Sequence, residues 1–353
     1  MNLRVLADRT VWRVHLRPYR AGHWWRFKIP PTLAAVLGFW VLSDLSPGAG
    51  LLLSLAAAFT ACCAAAFGHA VNEYADIRQD ALAGRANTMA PLGPVARFLS
   101  PAVPLLAAFS LAWALSCGPV ALAILALEFF LAAAYSLPPL RAKERGGWGI
   151  LAEGAATMAV PSLFAASLFF HQASPAPRAV LFAGAWAVLA LALGIKGILW
   201  HQDLDREQDQ AAGVRTFGAS HDHEEIRFLL VRRCYPVEMA ALVLVVGILL
   251  PTAPLVAVFF VLHGLMEAGK WAIGWRVAVG TGQERYLPFI NNFFYELPLP
   301  FALALTLAAG NPWGMAAPVA LALLFYGNIP QQAAEFMRFD ASIRQWLRAR
   351  GLR

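Results

Sequence analysis

Charge is scarce in this sequence. Only 14% of its 353 residues are Asp, Glu, Lys or Arg, while 59% are hydrophobic; about 25% charged is usual for a soluble globular domain. So few polar side chains cannot coat a water-exposed surface, and the mean hydropathy of +0.57 agrees. This excludes a soluble enzyme of ordinary composition, a disordered chain and a nucleic-acid-binding module. Cysteine is scarce too: Cys62, Cys63, Cys117 and Cys234 offer neither zinc-ligand spacing nor a disulfide framework. The leading segment MNLRVLADRTVWRVHLRPYR is basic and lacks an apolar core, so no cleaved signal peptide is expected there. The period-2 alternation of a membrane barrel strand is missing as well.

What the chain has is apolar runs from end to end. A helix needs about twenty apolar residues to span the bilayer hydrocarbon. Candidate spans are 31–47, 50–72, 98–116, 118–137, 149–171, 179–200, 235–251 and 253–273, followed by a shorter pair at 297–310 and 313–329. Helices are the only open-ended way across, because unpaired backbone amides cannot face lipid. The expected fold is an all-α polytopic membrane bundle of nine to ten transmembrane helices around a central cavity, with short cap helices. Basic residues crowd every second loop: Arg13 to Lys28, Arg78 to Arg97, Arg141 to Arg145, Arg206 to Arg233, and the tail from Arg338 to Arg353. The alternate loops near Ser46, Gly118, Ala173 and Pro251 hold almost no cations apart from Arg178. By the positive-inside rule the basic loops are cytoplasmic. Both termini then lie inside, which requires an even number of spans, ten fitting best; the last pair is alternatively a re-entrant hairpin.

Two segments carry chemistry. The second span ends in Asn72-Glu73-Tyr74-Ala75-Asp76-Ile77-Arg78-Gln79-Asp80, and the sixth in His201-Gln202-Asp203-Leu204-Asp205-Arg206-Glu207-Gln208-Asp209. Residues four apart share a helix face, so Asn72, Asp76 and Asp80 form one oxygen-bearing stripe and Asp205 and Asp209 another. Laid on one another, the segments put Gln202 opposite Glu73, Asp205 opposite Asp76 and Asp209 opposite Asp80. One such stripe is ordinarily a solvated helix end. Two, at matched depth and topology, point to a shared cation. Magnesium suits them, since it takes hard oxygen ligands and is usually held by one or two carboxylates plus substrate phosphates. Two facing stripes are thus expected to hold magnesium ions and, through them, a diphosphate.

With these segments the chain resembles the UbiA-type intramembrane prenyltransferase superfamily, which has an NDxxDxxxD-like motif after its second helix and a DxxxD motif after its sixth. Asp205-Arg-Glu-Gln-Asp209 with the trailing Gly213-Val-Arg-Thr216 is similar to the second motif, and Tyr135-Ser-Leu-Pro-Pro-Leu-Arg-Ala-Lys143 to the family's YSxPPxRxK segment. The resemblance covers roughly residues 10–235. It departs from the pattern at Glu73, where aspartate is usual, and at Arg85-Ala-Asn-Thr-Met-Ala-Pro91, which lacks the arginine that commonly precedes the proline. Beyond residue 250 no family motif is recognised, and ten spans exceed the usual nine.

The resemblance implies magnesium-assisted ionisation of an allylic prenyl diphosphate and transfer of the prenyl group to an acceptor, lipophilic or aromatic. It implies Asn72, Glu73, Asp76, Asp80, Asp205 and Asp209 as metal ligands. Lys143, Arg78, Arg215, Lys28 and Asn72 are implied at the diphosphate, with Tyr135 beside them and Asp76, Asp205, Lys143 and Tyr135 as the catalytic set. Lys28, in the basic-aromatic lead-in, is alternatively a headgroup anchor. Arg141 is either a diphosphate cation or a positive-inside anchor. Lys196, inside an apolar run, either serves the diphosphate or snorkels. Glu128 is expected to pair with a neighbouring helix, Glu153 to orient an acceptor or act as a base, and His201 to cap its helix or bind diphosphate. The histidines of Ser220-His-Asp-His-Glu-Glu-Ile-Arg227 have no zinc spacing and fit a cap helix. The chain divides into an interfacial lead-in (1–30), the prenyltransferase-like bundle (31–273), additional spans (274–330) and a basic tail (331–353). Two enzymatic alternatives keep the same diphosphate site: a membrane terpene cyclase, and a phosphoribosyl transferase acting on a polyprenyl phosphate. Transport is disfavoured, because the acidic groups cluster at one face and not near mid-membrane.

Overall fold

Apolar periodicity becomes helix wherever the backbone must satisfy itself away from water. The computed structural model describes residues 16–279, 282–285, 287–310 and 312–350; Arg13 and Arg353 lie outside them. The main helices are α1 (Ile29–Val41), α2 (Pro47–Leu82), α3 (Pro94–Ala114), α4 (Gly118–Ser136), α5 (Gly147–Gln172), α6 (Pro177–Leu204), α7 (Tyr235–Leu249), α8 (Pro254–Ala272), α9 (Pro298–Gly310), α10 (Ala316–Leu324) and α11 (Asn328–Arg348). Proline stands in the first turn of most of them, where its missing N–H costs nothing. Among the described residues seven helices are long and apolar enough to cross a membrane: α2 to α6, α8, and α9 with the turn before it, Phe293–Gly310. The helices α1, α7 and α10 are shorter. The protein is an integral membrane protein. One feature departs from an all-helical reading of 274–330: Arg276–Val279 and Gly282–Arg285 pair as a small antiparallel hairpin.

The helices close a ring. α5 packs on α1, α2, α4 and α6, and the circuit continues through α7, α8 and α9 back to α1. α2 and α4 run side by side in the same direction, Gly68 facing Ala132 and the Asn72 side chain bonded to Ser136. α5 and α6 touch backbone to backbone. A Cβ on Gly194 would lie 2.3 Å from the Gly154 carbonyl oxygen, so only glycine permits this approach. At the end remote from the motifs, Phe39, Phe169, Phe170, Phe182 and Trp186 interlock, Phe39 and Phe182 edge to face at 5.0 Å. Such aromatic pairs add about 0.5–1.5 kcal/mol each beyond area burial. The exposed apolar residues, among them Leu55, Phe98, Leu106 and Trp113, form the surface that meets lipid tails.

Candidate active site

The acidic ends of α2 and α6 lie at the same end of the bundle, joined by side chains from three other segments. Asn72 and Asp76 share a face of α2, and Lys143 reaches both from the turn Ala142–Glu144. Its Nζ lies 2.6 and 2.5 Å from the two Asp76 carboxylate oxygens and 3.1 Å from Asn72 Oδ1. Ser136, at the end of α4, donates to the same Asn72 oxygen at 3.0 Å. Arg141 adds a second cation, its Nη2 3.1 Å from Asp76 Oδ1. Arg141 adopts a left-handed backbone (φ 37°, ψ 56°), a conformation that costs a non-glycine residue about 1–3 kcal/mol and gathers at functional sites. Lys143 is buried. Burial pulls its ammonium below the ordinary lysine value, while Asp76 pushes the other way.

The second stripe faces this one through Arg85 and Tyr135. Arg85 follows the first motif in sequence, yet its Nη2 lies 3.3 Å from Asp209 Oδ1. Thr216 donates to the other oxygen of Asp209 at 3.0 Å. Burial raises the Asp209 carboxyl, and the bonds from Thr216 and Arg85 oppose the rise. Gln202 spans from α6 to Tyr135 on α4: its Nε2 donates to the Tyr135 hydroxyl at 3.4 Å, and its Oε1 accepts from the Gly218 amide at 3.1 Å. Asp205 is the exposed member, 40% accessible, with His201 at 3.5 Å one turn back. Asp80 accepts from Asn87 Nδ2 at 2.7 Å.

Glu73, the departure from the usual aspartate, uses its longer arm. Buried beside α3, it accepts from the Thr88 amide at 2.7 Å, the Thr88 hydroxyl at 2.6 Å and Arg20 Nη1 at 3.0 Å. A carboxylate has about four acceptor positions, so little of Glu73 is left for a metal. Arg20 stands in the lead-in at another left-handed position (φ 46°, ψ 40°). Lys28, where the lead-in joins α1, pairs with Glu153 at 3.3 Å. Glu153 precedes a π-helical turn, Ala155–Ala159, a deformation often found at functional sites.

Among the described residues no hydrogen bond joins Arg78, Arg215 or Lys196 to this cluster. Arg78 and Arg215 are exposed; two residues beyond Asp76, Arg78 is turned about 200° from it around the helix. Lys196 neither snorkels nor reaches the site. Its Nζ donates to Glu238 Oε1 on α7 at 2.8 Å, and the Tyr295 hydroxyl donates to that oxygen at 2.9 Å. Glu128 does not gain the expected helix partner: its Oε1 is buried with no hydrogen-bond partner. His223 pairs with the buried Asp203 at 2.5 Å. The segment around it is a capped helix start, Asp222 accepting from the Glu225 amide and Glu225 accepting in return. Arg20, Arg85, Asn87, Thr88 and Ser136 are members or braces of the site that spacing did not reveal. Only their nearness to the motifs in sequence marks Arg85, Asn87 and Thr88; Arg20 carries no such signal.

The donor set bears on a metal. Among the described residues no three His, Cys, Asp or Glu side chains converge closely enough to hold an ion by themselves. Each inward carboxylate is met instead by a protein cation or amide: Asp76 by Lys143 and Arg141, Asp209 by Arg85, Asp80 by Asn87. Hard oxygen donors in ones and twos suit magnesium that arrives with substrate phosphates completing its shell. The residues present fit that group.

Comparison with known proteins places the fold. The UbiA prenyltransferase family matches residues 29–295. Among solved structures, a UbiA homolog from Archaeoglobus fulgidus bound to DMAPP and Mg2+ is similar, with a TM-score of 0.55 at 17% identity, covering 86% of this chain and 99% of that one. The same homolog bound to GPP and Mg2+ gives 0.55 at 17%, covering 87% and 99%; bound to Cd2+ it gives 0.52 at 18%, covering 86% and 98%. At such identities these are likenesses of fold. No curated protein sequence matches the chain. The chain belongs to the UbiA prenyltransferase family.

Proposed function

We propose that the protein transfers the prenyl group of an allylic prenyl diphosphate to a lipophilic or aromatic acceptor, at a magnesium-dependent site facing the cytoplasm. The observation that carries this reading is the junction of two acidic helix ends, Asp76 under Lys143 and Arg141, and Asp209 under Arg85, at one end of the bundle. The structures of the Archaeoglobus fulgidus homolog bound to DMAPP or GPP with Mg2+ support the same ligand class here. The basic loops at this end of the bundle support its cytoplasmic placement, with both termini on that side.

Asp76, Asp80, Asp205 and Asp209 would hold the magnesium, with Asn72 adding an amide oxygen and Glu73 bracing the loop behind them. When bound, the metal neutralises the diphosphate as the carbon–oxygen bond breaks. The chain's own cations do the rest. Lys143 and Arg141, preorganised by Asp76, meet the charge that develops on the leaving oxygens, and charge-assisted contacts of this kind are the strongest available. Arg85 closes the opposite side. Tyr135, bonded to Gln202, would lie beside the prenyl carbon next to the diphosphate. The apolar faces of α2, α4 and α5 below it take the prenyl tail. Transfer to the acceptor forms a bond at that carbon, and the acceptor's proton leaves.

The test is mass spectrometry of products from purified protein, magnesium and a panel of prenyl diphosphates, with and without membrane extract. Prenylated products only with extract are expected. A hydrocarbon or terpene alcohol formed without extract identifies a cyclase, and no consumption of any prenyl diphosphate contradicts the proposal.

A further inference from the structure

The family match ends at residue 295, yet the chain continues into α10 and α11, and this extension returns to the lead-in. The turn between α10 and α11 leaves helix-end carbonyls without intrahelical partners. One of them is met from the other end of the chain, Trp25 Nε1 donating to Leu324 O at 3.0 Å, and Arg26 Nη2 donates to Gly327 O at the start of α11. Asn328, 1% exposed, is used twice. Its Oδ1 accepts from Arg26 Nε at 3.0 Å, and its Nδ2 donates to the Arg26 backbone carbonyl at 3.1 Å. Gln331 Oε1 accepts from Arg26 Nη2 at 2.9 Å, and the Trp25 ring stacks on Phe325 at 5.4 Å. α11 is itself tied to α8 by Glu335 on Lys270.

The lead-in held this way carries two site cations. Arg20, six residues before Arg26, braces Glu73 of the first motif, and Lys28, two residues after it, pairs with Glu153. Among the described residues, no side-chain hydrogen bond from within the lead-in holds the Arg26 guanidinium. Local backbone bonds such as Trp25 N to Ala21 O and Lys28 N to Trp24 O shape one short turn, and Tyr19 and the buried Trp24 seat it on the bundle; the polar contacts that fix Arg26 come from the turn between α10 and α11. We infer that residues 324–331 form a clasp that positions Arg20 and Lys28 at the mouth of the diphosphate site, making Asn328, Gln331 and Arg26 positioning residues that never touch substrate. The inference rests on the prenyl-diphosphate reading for its kinetic consequence, and on the geometry alone for its structural one.

The test compares the full-length wild type with Asn328→Ala and Asn328→Asp in lipid nanodiscs. In Asn328→Ala, hydrogen exchange at amides 20–28 is expected to speed up about tenfold or more while α2 and α6 stay protected. KM for prenyl diphosphate is expected to rise about tenfold with kcat changed less than about twofold, the mark of lost positioning and not lost chemistry. Asn328→Asp keeps the acceptor for Arg26 Nε but loses the donor to the Arg26 carbonyl, so it is expected to restore both in part. Unchanged exchange at 20–28 overturns the clasp, as does exchange that rises through the whole bundle together, or a kcat that falls with KM unmoved. If the wild type consumes no prenyl diphosphate, the functional reading fails and the exchange measurement alone still decides the clasp.

Discussion

Replacing Lys143 with methionine removes one ammonium and keeps most of the side chain's volume. Three contacts go with it, at 2.5 and 2.6 Å to Asp76 and 3.1 Å to Asn72. The loss of a preorganised donor aimed at developing negative charge typically costs about 10²–10³ in kcat, or roughly 2.7–4 kcal/mol. Stability should suffer less than the ~3–5 kcal/mol of breaking a fully buried pair, because Asp76 retains Arg141 at 3.1 Å and its side chain is 16% exposed. The assay is magnesium-dependent release of inorganic diphosphate, read beside thermal unfolding of the same preparation. A fall in kcat of about a hundredfold or more, with a folded monodisperse protein, is expected. Turnover within about threefold of wild type would refute the role of Lys143, since an interaction made in the transition state must show in kcat/KM.

Other outcomes follow from the same geometry. Arg85→Ala unties Asp209 from the loop after the first motif; the magnesium concentration needed for half-maximal activity should change, and metal titration of the variant checks this. Gly194→Val forces a side chain against the Gly154 carbonyl and should destabilise the bundle by about 1–3 kcal/mol or more through overpacking, read as a lowered unfolding temperature in detergent. Chelation of divalent ions should abolish turnover and leave thermal unfolding unchanged, because protein cations already neutralise Asp76 and Asp209; re-added magnesium should restore activity.

Helix was legible wherever an apolar run is long, because a span in lipid has no other way to satisfy its amides. The ends were less so: α1 is a thirteen-residue helix, and the strands Arg276–Val279 and Gly282–Arg285 lie between the spans read at 253–273 and 297–310. In the site, Asn72 and Asp76 were legible because i, i+4 spacing fixes a shared face, and Lys143 because its motif stands next to them in the family pattern. Arg20 and Arg85 were not. They come from irregular segments, where no period dictates direction, and Arg20 meets Glu73 across 53 residues of sequence. Lys196 was ambiguous for a different reason: its partner, Glu238, lies on another helix, and a buried ion pair between helices leaves no mark on either segment alone.

The account depends most on the two helix ends acting as one centre. Its sharpest test is diphosphate release by Asp76→Ala and by Asp209→Ala, each purified, folded and supplied with magnesium and prenyl diphosphate. Loss of turnover in both is predicted; full turnover in either, with the other inactive, would mean that α2 and α6 do not share the chemistry.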